Sequence, residues 1–231
     1  MKIENTEVYG FRASFRGMRN PKNSWSLSDS YYEPYFSENK DNIILGEKDL
    51  KLAQTLIKAG SEHCKFLRQI QVWCDITAPR YFFSEFDTYK IGVSANSTST
   101  MHKLFDKNTE ITLDMFEYNK DGSFEKSRIE KVITDLNDLR RIFFEECNNQ
   151  NEKDTILTSA KRILPESYLN MRTINMNYAV IRNIICQRKH HRLKYEWQEI
   201  FGKWITTLPY AKELIFCGLE DDYERLKGGI N

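Results

Sequence analysis

The chain has 231 residues, 40% of them hydrophobic and 29% charged, so it can bury a core without disulfides or a structural metal. Its net charge of +1 argues against a nucleic-acid partner held by overall positive charge, and it has no run of 18 apolar residues that would cross a membrane. The sequence begins without the apolar core of a signal peptide, and its five cysteines form no C-x-x-C pair, so we expect reduced thiols in a cytoplasmic protein without a metal site.

The first third of the chain is predicted to hold a strand, a loop and a helix. Residues 8–15 alternate weakly between apolar and polar, which is typical of a strand, and residues 20–24 have the Asn-Pro composition of a turn. Residues 28–41 are polar and rich in tyrosine, so we expect a surface loop there. Helical spacing of apolar residues begins at Glu47, and Gly60 is expected to end that helix.

The middle of the chain predicts a strand followed by an aromatic helix. Residues 70–76 alternate with period two, and a short helix is expected just before them, at residues 63–67. Pro79 suits the first position of a helix whose buried face carries Tyr81, Phe82, Phe86 and Tyr89. Residues 92–100 are almost all small, so we expect a loop or the N-terminus of a helix.

The last part of the chain is predicted to be mostly helical. The strongest pattern spans residues 124–147, and further helices are expected at 155–162, 177–188 and 195–205, with a last short helix from Pro209. Residues 172–176 predict a short strand, and residues 227–231 a loose tail. The fold class is therefore α+β, mostly helical with a small antiparallel or mixed sheet, in a single domain spanning residues 1–231.

Positive charge is concentrated in one segment of an otherwise neutral chain. Residues 161–194 hold eight basic side chains against one acidic residue, Glu166. Such a cluster suits a compact anion such as a nucleotide phosphate, although a solvated helix face would look the same. Asn177 and Arg188, eleven residues apart, fall on one side of the predicted helix, so Arg188 is either a buried ion-pair member or a ligand clamp.

Two other patterns were weighed as ligand sites. The run at residues 92–100 offers hydroxyl and backbone N–H groups to a phosphate, although such runs also form ordinary loops and helix caps. The adjacent His190 and His191 point in different directions on a helix, and no third ligand has metal-site spacing. We therefore predict no metal.

Residues 62–104 place several features in a fixed order. His63 precedes the strand, Ala78-Pro79 ends it, and the aromatic helix and the small-residue run follow. This segment resembles the flavin-dependent (alternative) thymidylate synthases, in which the same order ends in R-H-R-x-x-S-x-N-E-x-S-x-R-Y. Counting without gaps from Pro79 places Thr88, Tyr89 and Lys90 on R-H-R, whereas a shift by one residue aligns Ser94, Asn96 and Ser99 with the motif's S, N and S.

Residues 161–205 carry the second part of the resemblance. In the family, a basic residue and Leu-Pro are followed by Asn, a second Asn six residues later, Arg five residues further and Glu eight residues beyond the Arg. At those spacings, without a gap, this chain has Lys161, Leu164-Pro165, Asn177, Asn183, Arg188 and Glu196.

The resemblance implies a homotetramer with active sites built from several subunits, FAD between subunits and dUMP stacked on the flavin. Methylenetetrahydrofolate and NADPH would complete the reaction. Carried over, Arg188 would polarise the uracil and is the catalytic candidate. The nucleotide site would comprise Glu85, Ser94, Asn96, Ser97, Ser99, Lys161 and Arg162, with the last two meeting the phosphate. The flavin site would comprise His63, Tyr89, Lys90, Asn177 and Asn183.

The chain departs from the family most clearly at R-H-R. Under the gapless count Lys90 replaces one arginine and the other two residues lose their charge. The motif's glutamate becomes Asn96 or Ser97, and its last arginine becomes Thr100 or Met101. Each charge-assisted hydrogen bond lost from a phosphate site costs about 1.5–3 kcal/mol. FAD is therefore predicted to be weakly held or absent, while an anionic nucleotide still binds.

Three hypotheses for function follow. The first is a flavin-dependent enzyme that methylates or hydroxymethylates a uridylate-type nucleotide. The second is the same scaffold holding a nucleotide without turnover, as phage-encoded sequestering proteins do, which also suggests a phage or prophage origin. The third, a plain oligomeric scaffold, is disfavoured by the polar run and by the cations around Arg188.

Overall fold

The computed structural model describes residues 1–33, 40–120 and 122–228. Its contacts divide the chain into two compact units. Met1, Thr77–Thr88 and Asn96–Arg172 form the first, here called the hairpin unit. Lys2–Ile76, Tyr89–Ala95 and the chain from Thr173 onwards form the second, here called the α7 unit. The assignment of residues 1–231 to one domain stays a prediction.

Four strands form a small antiparallel sheet in the order β1-β4-β6-β5. They are β1 Lys2–Tyr9, β4 Gln71–Pro79, β5 Ser94–Ser97 and β6 Leu169–Asn177. Alternate residues of β4 are buried, because successive side chains of a strand point to opposite faces. A separate pair of strands, β2 Tyr31–Tyr32 and β3 Ile43–Ile44, is antiparallel as well.

The hairpin unit is built on two packed helices, α5 Ser123–Glu145 and α6 Gln150–Ile163. Two shorter helices, α3 Arg80–Phe86 and α4 Thr100–Lys103, precede them. The helix predicted at residues 124–147 is confirmed. The core of the unit is apolar and includes Leu104, Phe116, Leu136, Leu157 and Leu164.

The α7 unit contains α1 Phe11–Arg19, α2 Glu47–Lys58, α7 Tyr178–Arg188, α8 Lys203–Ile205 and α9 Glu220–Gly228. Two π-helical segments, Tyr195–Gly202 and Ala211–Ile215, flank α8, and short 3₁₀ turns lie at Asn20–Lys22, Trp25–Leu27 and Lys65–Gln69. Aromatic rings fill its core: Phe11 meets Tyr178 edge to face, with 5.6 Å between ring centroids.

The strand predicted at residues 8–15 is wrong beyond Tyr9. Gly10 has φ of +103° and ends β1, and the chain then turns into α1. A Cβ at this glycine would lie 2.2 Å from the backbone oxygen of Gln69, so no other residue fits there. The buried positions Phe11, Ser14, Phe15 and Met18 follow helical spacing, which the weak alternation concealed.

Several other predictions hold with changed boundaries. The strand at 70–76 is confirmed and extends to Pro79, which precedes α3 instead of starting it. The expected strand at 172–176 is longer and begins at Leu169, and the helix expected at 155–162 begins at Gln150. Residues 34–39 of the predicted loop and 229–231 of the predicted tail lie outside the described residues, and Lys227 and Gly228 belong to α9.

Among the described residues, no helix combines the length and apolar character that crossing a bilayer requires. In the same part of the chain, His, Cys, Asp and Glu side chains form no group of three that could hold a metal ion.

Candidate site at the end of α7

Helix α7 is fixed at its start by Asn177. The Asn177 side chain accepts a hydrogen bond from the backbone N–H of Val180 at 3.1 Å, the usual N-cap arrangement. Gly92, with φ of +79°, passes so close that a Cβ there would lie 3.0 Å from Asn177 Nδ2. Ile181, Ile184 and Ile185 are buried, while Asn183 and Cys186 lie on the exposed face. The cap and the apolar stripe together set the direction of the helix.

The other end of α7 carries an arginine between two aromatic rings. Arg188 Nε donates a hydrogen bond to the Tyr89 hydroxyl at 2.9 Å. Its guanidinium lies 5.6 Å from the Tyr89 ring centroid and 5.2 Å from that of Trp197. Trp197 is fully buried and Tyr89 is 8% exposed, whereas Arg188 is half-buried. We call Tyr89, Gln187, Arg188 and Trp197 the Arg188 cluster.

A line of hydrogen bonds joins this cluster to the exposed side of α7. Tyr89 donates to Gln187 Oε1 at 3.0 Å, and Gln187 Nε2 in turn donates to Asn183 Oδ1 at 3.0 Å. The Tyr89 hydroxyl therefore accepts from Arg188 and donates to Gln187 at the same time. The sequence-predicted residues Tyr89, Asn183 and Arg188 are thus brought together, whereas Asn177 lies at the opposite end of the helix.

This arrangement orients a cation that keeps contact with solvent. A guanidinium cannot be deprotonated near neutral pH and offers five N–H donors in a fixed plane. With Nε bound to Tyr89 and two rings beside it, the guanidinium has fewer rotamers to lose when it binds a ligand. Chemically, the cluster suits a hydrogen-bond acceptor such as a carboxylate, a phosphate or a pyrimidine carbonyl.

The basic residues of segment 161–194 do not form a single patch of unengaged charge. Arg172 pairs with Asp87 at 2.6 Å and lies over the Phe83 ring. Arg182 donates to the backbone oxygen of Ile215 at 2.6 Å, and Lys189 pairs with Asp222. The prediction of a single anion-binding cluster is therefore too broad, since three of its members have structural partners.

The predicted phosphate contacts belong to the hairpin unit. Lys161 is half-buried and Arg162 exposed in the last turn of α6, where cations also offset the helix dipole. Glu85 is half-buried in α3. All three residues belong to this unit, and their contact with a nucleotide stays a prediction.

The small-residue run is a strand followed by a short helix, not a loop. Ser94, Asn96 and Ser97 lie in β5, an edge strand whose residues are all exposed. Ser99 is the N-cap residue of α4, so the expectation of a helix start is met. Because α4 has four residues, however, its dipole adds little to phosphate binding. The role of these residues toward a phosphate stays a prediction.

His63 and Lys90 are exposed, and His63 lines a cavity of the α7 unit. This cavity has a volume of about 890 Å³ and its walls are mainly apolar. Three lysines, Lys22, Lys48 and Lys65, stand among its lining residues. Tyr89, Asn177 and Asn183 do not line it, so the residues predicted to bind flavin divide between this cavity and α7.

Sequence reasoning missed two members of the cluster. Gln187 and Trp197 were assigned no role, although Trp197 stands nine residues after Arg188 at the start of a clearly apolar segment. Tyr89 was expected among the flavin contacts, and the structure buries its ring. An aromatic residue near a predicted clamp arginine was the available signal, because such rings often flank guanidinium groups.

No protein-family model matches this sequence, and no curated protein sequence matches it. Solved structures do match in fold. A crystal structure of the flavin-dependent thymidylate synthase ThyX from Helicobacter pylori, complexed with FAD and dUMP, is 18% identical, with a TM-score of 0.68 over 94% of this chain and 98% of that one. A second structure of Helicobacter pylori ThyX with FAD and dUMP is 18% identical, with a TM-score of 0.69 over 97% of this chain and 100% of that one. The chain therefore has the ThyX fold, and the fold class predicted from sequence is confirmed.

Proposed function

We propose that this protein binds a uridylate-type pyrimidine nucleotide such as dUMP through Arg188, on a thymidylate synthase-like scaffold. The observation that carries the proposal is the Arg188 cluster, in which a half-buried guanidinium is held by Tyr89 and Trp197 at the end of α7. The same fold in ThyX is complexed with FAD and dUMP, which supports a nucleotide as the ligand.

The chemistry of the cluster matches a uracil ring. A uracil carbonyl or its deprotonated N3 accepts hydrogen bonds in the plane of the ring, and a guanidinium supplies a planar fork of donors. The hydrogen bond from Arg188 Nε to Tyr89 fixes the plane in which we propose that the guanidinium meets the nucleotide. On the strength of the resemblance, Lys161 and Arg162 stay proposed phosphate contacts, and Glu85, Ser94, Asn96, Ser97 and Ser99 stay proposed nucleotide contacts.

The residues present fit FAD in part. The cavity of about 890 Å³ beside His63 is mainly apolar, which suits a flat ring, and its lysines suit a pyrophosphate. When bound, FAD would supply the redox chemistry of a thymidylate synthase, with methylenetetrahydrofolate and NADPH as the other reactants. A lysine does not reproduce the bidentate fork of an arginine, however, so we expect FAD to bind weakly. Lys90, Asn177 and Asn183 remain proposed flavin contacts.

Nucleotide sequestration without turnover is the second candidate function. The replacement of the R-H-R motif by Thr88, Tyr89 and Lys90 under the gapless count favours it, because it removes cations while Tyr89 stabilises Arg188. The absorption spectrum of the purified protein separates the two functions. A flavin spectrum with turnover of dUMP identifies the enzyme, whereas a colourless protein that binds dUMP identifies the binding protein.

Arg188→Ala tests the shared proposal. We expect this variant to lose about 2–5 kcal/mol of dUMP binding in isothermal titration calorimetry, because a planar charged contact is removed. Its melting temperature without ligand should change little, since Arg188 is half-buried and adjoins solvent. Arg192→Ala, which removes an exposed arginine four residues away, is the matched control. Unchanged dUMP affinity with a large loss of melting temperature would make Arg188 a structural residue and refute the proposal.

A further inference from the structure

Helix α1 carries a concentration of positive charge that the proposed function leaves unused. Its nine residues include Arg12, Arg16 and Arg19 and no acidic residue. Arg12 and Arg16 stand one turn apart on the exposed side, where like charges repel each other. Among the described residues, neither Arg12 nor Arg16 has a carboxylate within ion-pair distance.

The third arginine, Arg19, differs because it forms an ion pair with the buried Asp49. Asp49 is fully buried, and its Oδ1 accepts from Arg19 Nε at 2.6 Å. Its Oδ2 accepts from the hydroxyls of Ser28 and Ser30, both at 2.6 Å. Since both oxygens of Asp49 are engaged, this acid does not neutralise Arg12 or Arg16. The network also fixes the chain segment that follows α1.

That segment places two aromatic rings beside the two exposed arginines of α1. The Tyr32 ring lies 5.1 Å from the Arg12 guanidinium. Trp25 is 50% exposed, but its indole N–H donates to Asn20 Oδ1 at 2.9 Å, so the ring is held in one orientation. Together with Phe15, Ser28 and Ser30, these residues line a pocket of about 240 Å³ beside α1. Exposed rings next to guanidinium groups are a common way to bind a base and its phosphate.

We propose that this pocket, here called the α1 pocket, binds a mononucleotide, with its phosphate on Arg12 and Arg16 and its base against Trp25. The pocket shares no residue with the Arg188 cluster, so it is a second nucleotide site. It does not depend on the nucleotide proposed for Arg188. A volume of about 240 Å³ is on the scale of one small ligand such as a mononucleotide.

The test is a titration of the full chain with AMP, adenosine and inorganic phosphate, followed by tryptophan fluorescence and calorimetry. We expect AMP to quench the fluorescence and to bind at least tenfold tighter than adenosine or phosphate alone. Arg12→Gln combined with Arg16→Gln should weaken AMP binding at least tenfold. The matched control, Arg68→Gln with Lys51→Gln, removes two exposed cations of the same unit and should leave AMP affinity unchanged.

Two further variants assign the signal to its site. Trp25→Phe should abolish most of the AMP-induced quenching, and Arg188→Ala should leave AMP binding at the α1 pocket intact. The proposal is overturned if the double arginine variant, folded by circular dichroism, keeps its AMP affinity. It is also overturned if phosphate alone binds as tightly as AMP, which would mean a plain anion site. Binding of a single-stranded oligonucleotide at least a hundredfold tighter than AMP would indicate a polymer partner and overturn it as well.

Discussion

The Tyr89 hydroxyl fixes the orientation of the neighbouring Arg188 guanidinium. It accepts from Arg188 and donates to Gln187, and its ring adjoins the guanidinium. By the resemblance, the family motif has a histidine or an arginine at this position, depending on the register. We therefore regard Tyr89 as a positioning residue for Arg188.

Tyr89→Phe tests this role. The ring stays and the hydroxyl is lost, so we expect a loss of about 0.5–1.5 kcal/mol in the free energy of unfolding, as for one hydrogen-bonded group. Because Arg188 loses its fixed orientation, dUMP affinity should fall about fivefold, measured by calorimetry. Tyr31→Phe, at an exposed tyrosine, is the control. An unchanged dUMP affinity would show that Arg188 needs no positioning by this hydroxyl.

Asp49 is the residue on which the segment after α1 depends. Burial raises its pKa, but hydrogen bonds from Ser28, Ser30 and Arg19 outweigh burial and the pKa is lowered overall. Asp49→Asn should therefore cost about 3–5 kcal/mol of unfolding free energy in urea titrations at pH 7, because Arg19 is left buried without its counter-ion. Asp135→Asn, an exposed position on α5, should cost less than about 0.5 kcal/mol.

The difference in unfolding free energy between wild type and Asp49→Asn should change with pH in a defined direction. A lowered folded-state pKa means that ionised Asp49 stabilises the protein above its unfolded pKa of about 3.9. This contribution is lost as the pH falls through the lower, folded-state pKa. The gap between wild type and Asp49→Asn should consequently narrow below about pH 4. A gap that stays constant down to pH 2 would contradict this account.

At the scale of elements, α7 was predicted from sequence almost to the residue, since Ile181, Ile184 and Ile185 show its apolar stripe. Helix α1 was not predicted. Gly10 changes the direction of the backbone, and the residues on both sides of it together resemble the alternation of one strand. Strand β5 was also missed: Ser94 and Asn96 have no strand preference, and their pairing is a tertiary effect.

Asn177 and Asn183 make a matched pair for an experiment on α7. Asn177→Ala removes the N-cap and should cost about 1 kcal/mol of unfolding free energy by chemical denaturation. Asn183→Ala, on the exposed face, should cost less than about 0.5 kcal/mol. If both lower FAD affinity by the same factor, they are ligand contacts as the resemblance implies. Equal stability losses would contradict the cap assignment.

At the scale of the whole molecule, the sequence predicted Tyr89 and Arg188 as site residues but not their grouping with Gln187 and Trp197. The spacing of Asn177, Asn183 and Arg188 pointed to one helix, which the structure confirms. That Arg188 would meet Tyr89, ninety-nine positions away, depends on how the chain folds back and has no local signal. The separation of His63 from these residues has the same origin.

Self-association is the remaining expectation at this scale. The aromatic helix α3 does not argue for it, because Phe82, Phe83 and Phe86 are buried within the chain itself. The resemblance still implies a homotetramer with shared sites. We therefore expect light scattering at micromolar concentration to give a multiple of the 27.4 kDa chain mass, four for the tetramer. A mass of one chain would remove the shared site and contradict the nucleotide proposal at Arg188.

The exposed face of α7 also carries a thiol that can be labelled. Cys186 is exposed two residues before Arg188, whereas Cys74 is buried and its pKa is raised to about 12 by burial and by Asp75. Because the thiolate is the form that attacks a maleimide, Cys186 reacts quickly and Cys74 stays unlabelled. A dye attached there lies in the same turn of α7 as Arg188, on a different face of the helix, and replaces no member of the Arg188 cluster. With the half-buried Cys64 and Cys147 replaced by serine, the arrival of a nucleotide at this end of the helix can be followed by emission from one attachment point.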